Sequence, residues 1–156
     1  MAEPVLSVIV PVYNEEAVLD PLFGRLFPVL ERAGEPFEVI VVDDGSTDGT
    51  WEKLRRAQSG RAGLKLIRLS RNFGQQAAIT AGMDQARGKA VAIMDADLQD
   101  PPELLPDFIG KWREGIEVVY GVRARRHEGV LKRSAYHLFY RLLGRLAFLD
   151  IPRDAG

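Results

Sequence analysis

Short apolar runs rich in β-branched residues recur along the chain, and most are followed by a longer stretch in which apolar positions return every three or four residues. The short runs are Leu6 to Val12, Phe37 to Val42, Leu64 to Leu69, Ala90 to Met94 and Glu117 to Tyr120. The helical stretches are Glu15 to Ala33, Gly49 to Ser59, Gln75 to Arg87 and Pro102 to Glu114. Strands and helices that alternate in this way predict an α/β fold, a mostly parallel sheet with helices on both faces. The runs Ser7-Val8-Ile9-Val10 and Val39-Ile40-Val41-Val42 suit burial beneath two helix layers, because neither face of such a strand carries a regular polar side. Pro101-Pro102 marks a helix start, where a fixed φ and a missing N–H cost nothing.

Open α/β sheets bind ligands beyond the carboxyl ends of their strands. Those ends here read Pro11-Val12-Tyr13-Asn14-Glu15, Asp43-Asp44-Gly45-Ser46, Ser70-Arg71-Asn72-Phe73-Gly74, Asp95-Ala96-Asp97 and Gly121-Val122-Arg123. Nearly all the unusual polar chemistry therefore falls on one predicted rim. In Asp95-Ala96-Asp97, side-chain alternation aims both carboxylates to one side and Ala96 to the other. Two acids so close repel each other unless a positive charge sits between them, and a divalent cation completed by substrate phosphates is a common solution. Asp43-Asp44-Gly45-Ser46 is compatible with a plain turn, yet its two adjacent carboxylates also suit hydrogen bonds to a ribose or a base. Tyr13 offers a ring for stacking on that base, while Glu15 and Glu16 also suit the first turn of a helix.

Composition narrows the chemistry. With 46% hydrophobic and 28% charged residues in 156, the chain has the make-up of one soluble globular domain rather than a disordered or fibrous one. It has no cysteine, so disulfides and thiolate metal sites are excluded and any metal must be a hard cation held by oxygen or imidazole ligands. The net charge of −1 conceals an asymmetry: residues 1–121 hold 13 Lys and Arg against 19 Asp and Glu. Between Val122 and Leu149 there are seven basic residues and a single acid, Glu128. This stretch is either a solvated face or a surface for an anionic partner.

Within it, residues 130–149 have apolar positions at 131, 135, 138, 139, 142, 143, 146 and 149, with Arg133, His137, Arg141 and Arg145 stepping by four along another face. That is a basic amphipathic helix, suited to packing on a core or to lying in a membrane interface. Nucleic-acid binding is disfavoured because the aromatics there read as an apolar helix face, although Tyr136 and Tyr140 keep it open. The acidic start MAEPVLSVIVPVYNEE lacks the form of a secretory signal, and no apolar run reaches the length of a membrane span.

Four segments in order and spacing, Ser7 to Glu15, Val41 to Thr50, Arg71 to Gln75 and Asp95 to Glu103, resemble glycosyltransferase family 2. They are most similar to its dolichol-phosphate mannosyltransferase and bacterial polyprenyl-phosphate glucosyltransferase branch. The resemblance implies a GT-A fold and an inverting, metal-dependent transfer of a hexose from a UDP- or GDP-sugar to a polyprenyl phosphate. By the same resemblance Pro11, Tyr13 and Glu15 line the nucleotide pocket, and Asp43 and Asp44 hold base and ribose. Asp95, Asp97 and Gln99 hold Mg²⁺ or Mn²⁺ against the diphosphate, with Asp97 and Arg123 as the catalytic pair. Arg123 and Arg133, with Ser134 nearby, receive the acceptor phosphate. Residues 1–123 then form the nucleotide-sugar-binding core, and residues 124–156 the acceptor loop and basic helix.

The implied location is the cytoplasmic face of a membrane, contacted through residues 130–149. The family usually continues beyond the position of Gly156 through a Gly-Asp-Phe-Arg-like segment, so the resemblance implies a shortened chain. Two other readings stay open: a family 2 transferase with a sugar hydroxyl as acceptor, and an inactive nucleotide-sugar-binding or membrane-docking fragment. A nucleotidyltransferase is disfavoured because no glycine-rich phosphate loop follows the first strand.

Overall fold

The computed structural model describes residues 3–122. The chain separates into two units, Met1–Val119 and Tyr120–Gly156, and every helix and strand described belongs to the first. Arg123, Arg133, Ser134 and the expected basic helix at 130–149 lie outside the described residues.

In chain order the elements are β1 (Leu6–Val12), α1 (Leu19–Ala33), β2 (Phe37–Asp43), α2 (Thr50–Gln58), β3 (Leu64–Arg68), α3 (Gln75–Gln85) and β4 (Ala90–Ile93). A 3₁₀ turn (Pro102–Leu104) then leads into α4 (Leu105–Arg113). The four strands are parallel in the order β3-β2-β1-β4, with Val8 opposite both Val39 and Ala92. Burial follows the double-sided apolar pattern: every residue of β1 is buried. Val8, Val10, Val39 and Val41 pack with Leu22, Phe23, Leu26 and Leu30 of α1, Leu54 of α2 and Leu105 of α4. On the other face Ile40 and Val42 pack against Ala78 of α3. That helix lies very close to the sheet. A Cβ added at Gly82 would stand 2.5 Å from Ile9 Cγ2 and 3.2 Å from Val42 Cγ2, so the near-bare stripe of Ala78 and Gly82 sets the approach. No helix among the described residues is long and apolar enough to cross a membrane.

Two expectations change. The helix predicted from Glu15 starts at Leu19, because the Glu15 and Glu16 N–H groups donate to Thr50 Oγ1 and Asp48 Oδ2 of the loop after β2. Glu15 and Glu16 are therefore tied to a neighbouring segment before the helix can begin. The strand expected at Glu117 to Tyr120 is irregular, so Gly121-Val122-Arg123 is not a strand end among the described residues. Val118 and Tyr120 are each 77% exposed, and among the described residues this run pairs with no strand.

At the amino end of the sheet, one buried carboxylate joins three strands. Glu38 of β2 accepts hydrogen bonds from Ser7 Oγ of β1 (2.6 Å) and from the Arg87 N–H (2.7 Å), and it pairs with the Lys65 ammonium of β3. Ser7 Oγ in turn accepts the Gly88 N–H at 2.8 Å, which pins the turn into β4. Burial alone would push the Glu38 carboxyl up. The Lys65 ammonium, the Ser7 hydroxyl and the Arg87 N–H outweigh that and hold it below the usual glutamate range.

A carboxyl lowered on folding stabilises the native state above its unfolded value, and that contribution is lost as pH falls through the lowered native value. Urea melts from pH 6 down to pH 3 should therefore show wild type losing stability from below about pH 4.3, the ordinary glutamate value, while Glu38→Gln loses less over the same interval. At pH 7 the variant should be less stable by about 1–3 kcal/mol, the worth of hydrogen bonds to a charged group. Equal acid dependence in both proteins would contradict this role.

Candidate active site

The carboxyl ends of β1, β2 and β4 and the start of α3 surround an open cleft of about 370 Å³. Its walls carry Pro11, Tyr13 and Glu15 from the β1 end, Asp44 from the β2 end, and Asn72, Gly74 and Gln75 from the segment entering α3. Asp95, Ala96 and Asp97 close it from beyond β4. Four loops far apart in sequence thus meet at one place, as expected for a parallel sheet whose crossovers all return to the same rim.

Local structure explains how each group is presented. Asn14 adopts a left-handed backbone with φ of 55°, a conformation that Asn tolerates better than most residues. Its N–H donates to Ser46 Oγ, and its Oδ1 accepts the Thr47 N–H, both at 2.9 Å. With Glu15 N–H on Thr50 Oγ1 and Gly49 N–H on Glu16 Oε2, these bonds lace the β1 loop to the β2 loop. Burial, which alone would raise the Asp48 carboxyl, is outweighed by the Thr50 hydroxyl and N–H and the Glu16 N–H, so the carboxyl lies below its ordinary value. The polar residues Asn14, Ser46, Asp48 and Thr50 therefore hold the rim together while Tyr13 stays 43% exposed at the cleft.

The adjacent acids Asp43 and Asp44 have different fates. Asp43, expected at the base or ribose, lies off the cleft wall and is wholly buried. Its Oδ1 accepts the Ser46 N–H at 2.9 Å. Its Oδ2 stands 3.2 Å from Arg68 Nε, a charge contact without hydrogen-bond alignment. Asp44 is on the wall, and its two oxygens accept the N–H groups of Phe73 (2.8 Å) and Gly74 (2.9 Å). One carboxylate thus fixes the turn and its neighbour grips the loop leading into α3.

Beyond β4, Ala96 is buried and packs in the core while Asp95 and Asp97 are exposed, and all three residues contribute to the cleft wall. Asp97 Oδ1 accepts the Gln99 N–H at 3.0 Å, and Leu98 between them has a φ of 60°. Asp95 Oδ1 accepts a hydrogen bond from Gln75 Nε2 at 2.7 Å. Gln99 itself is not on the cleft wall. Among the described residues no three acids or histidines form a complete metal cage. Two exposed carboxylates on an open cleft suit a hard cation that draws its remaining oxygens from a phosphorylated ligand, so Asp95 and Asp97 fit the ion that the motif implies.

The parallel sheet with this acid-lined rim has the GT-A-like fold of the solved glycosyltransferase structures it is similar to. The family model for glycosyl transferase family 2 matches residues 7–154, and the chain belongs to that family. It is 49% identical over 151 residues to a Bacillus subtilis protein described as "Uncharacterized glycosyltransferase YkcC", covering 96% of this chain and 47% of that one. It is 44% identical over 153 residues to the undecaprenyl-phosphate 4-deoxy-4-formamido-L-arabinose transferase of Pseudomonas aeruginosa, covering 97% of this chain and 42% of that one. The chain thus spans about half the length of the curated relatives it matches. Among solved structures it is similar to the mannosyltransferase PcManGT of Pyrobaculum calidifontis in complex with GDP-Man and Mn²⁺. The TM-score is 0.61 at 29% identity, over 70% of this chain and 32% of that one.

Proposed function

We propose that this chain carries the donor-binding part of an inverting glycosyltransferase that moves a hexose from a UDP- or GDP-sugar to a polyprenyl phosphate at the cytoplasmic face of a membrane. The observation that carries this reading is the convergence of Tyr13, Asp44, Asp95 and Asp97 on one cleft at the sheet's carboxyl rim. Tyr13 would offer a ring for the base, and the Asp44 wall would take the nucleoside end. Asp95 and Asp97 would hold Mg²⁺ or Mn²⁺ against the diphosphate. The similar mannosyltransferase, solved with GDP-Man and Mn²⁺, supports a nucleotide-sugar and a divalent ion at such a site.

When bound, the cation supplies Lewis-acid stabilisation of the leaving diphosphate. An acceptor phosphate oxygen forms the new bond to the anomeric carbon as the bond to the nucleoside diphosphate breaks on the opposite face. A phosphate monoester, with a second pKa of about 6, is largely anionic at neutral pH, so this attack needs little help from a base. The chain's own contribution is to orient the donor and to offset charge. The seven basic residues between Val122 and Leu149, Arg123 and Arg133 among them, suit an anionic acceptor and an anionic lipid surface. The relative named for an undecaprenyl-phosphate acceptor supports that choice over a sugar hydroxyl, which would need a positioned base.

The deciding experiment incubates the protein with labelled UDP- and GDP-hexoses, Mn²⁺ and vesicles containing polyprenyl phosphate, followed by organic extraction. A labelled lipid that fails to form when the ion is chelated is the expected result. Label transferred only to water-soluble saccharides would overturn the acceptor assignment. Nucleotide-sugar binding without any transfer would instead identify a binding module.

A further inference from the structure

Five residues link the two halves of the cleft. In the segment Arg71-Asn72-Phe73-Gly74-Gln75, the Phe73 and Gly74 N–H groups are accepted by the two oxygens of Asp44. The next residue, Gln75, donates its side-chain amide to Asp95 Oδ1 at 2.7 Å. Gln75 is the first residue of α3, and that helix is seated on the sheet through buried Ala78 and Gly82. The amide is therefore presented from a seated helix whose entry is clamped, a better support than a free loop.

We propose that Gln75 is a positioning residue of the metal site, orienting the Asp95 carboxylate toward the cation and coupling it to the nucleoside-side carboxylate Asp44. The inference rests on the metal reading given above. An ionised carboxylate has about four lone-pair sites. The bond from Gln75 restrains the rotation of the Asp95 carboxylate. Carboxylates that ligate metals are usually held by such partners, and removing one typically costs about 10–100-fold in metal affinity or activity. Gln75 is exposed, so replacing it should leave the fold intact.

The test compares wild type with Gln75→Met, which keeps the length but loses the donor, and with Gln75→Ala. Free Mn²⁺ is followed by electron paramagnetic resonance during titration in the presence of saturating UDP or GDP, and nucleotide affinity without metal is measured by calorimetry. Both variants should raise the Mn²⁺ dissociation constant about 10-fold or more. Metal-free nucleotide affinity and melting temperature should stay at wild-type values. Unchanged Mn²⁺ affinity in both variants overturns the inference alone. So does a parallel loss of Mn²⁺ and metal-free nucleotide binding, which would make Gln75 a support of the whole loop. A wild-type protein that takes up no Mn²⁺ overturns the metal reading and this inference with it.

Discussion

On the proposed function, Asp97→Ala should lower the rate of sugar transfer by about 100-fold or more, the scale on which removing preorganised electrostatic stabilisation of a leaving group acts. Asp97 is exposed on the cleft wall, and the hydrogen bond described for it is local, from the Gln99 N–H two residues on. Truncating an exposed side chain of this kind usually changes stability by no more than about 0.5 kcal/mol, so the lost rate can be separated from unfolding by a thermal melt. The local bond does raise a competing explanation. It supports a turn in which Leu98 holds a φ of 60°, and its loss could relax the turn instead of removing a ligand for the ion.

Asp97→Asn decides between the two. The amide oxygen can still accept the Gln99 N–H, but the negative charge is gone. If charge is what matters, the Asn and Ala variants should both lose transfer, and both should need more Mn²⁺ for half-maximal rate. Wild-type turnover in Asp97→Asn would leave the turn as the whole role of Asp97.

Gly45→Ala should lower stability by about 2–5 kcal/mol and weaken nucleotide binding with it, for two additive reasons. Gly45 has a φ of 71°, a region that costs an L residue about 1–2 kcal/mol. A Cβ there would also stand 2.6 Å from Arg71 Cα and 2.8 Å from Asn72 N, closer than any Cβ can approach backbone. The neighbour cannot yield as a flexible side chain would, so the Arg71 segment must shift, at the scale of overpacking, about 1–3 kcal/mol. That segment is the one whose Phe73 and Gly74 N–H groups Asp44 holds. Moving it disturbs the cleft wall as well as the fold. At about 2–4 °C per kcal/mol for a protein of this size, scanning calorimetry should show a drop on the order of 5–15 °C. An unchanged melting temperature would mean that the turn opens freely and that the close approach is not needed.

The sequence by itself determined the elements that have only one way to satisfy their burial. The run Leu6 to Val12, apolar on both faces, becomes β1 with the same ends, because such a strand is stable only between two layers. Placing the acidic motifs on one rim followed from the same fact, since every parallel strand must end on the same side. The buried Ala96 between exposed Asp95 and Asp97 was legible for a similar reason, the alternation of neighbouring side chains.

Tertiary structure decided what depends on which strands become neighbours. The order β3-β2-β1-β4 is written in no single segment, yet it brings Asn14 beside Ser46 and Ser7 beside Glu38. Asp43 and Asp44 look equivalent in the sequence. One turns inward under Arg68 and the other toward the loop entering α3, because successive side chains at a strand end face opposite ways. Gln75 belongs to one of the four family-like segments, yet nothing in that segment pairs it with Asp95. Only the approach of α3 to the end of β4 places its amide against Asp95. The Glu117 to Tyr120 run marks the limit of pattern reading, because a short β-branched run makes a strand only when a partner strand accepts its hydrogen bonds, and among the described residues none does.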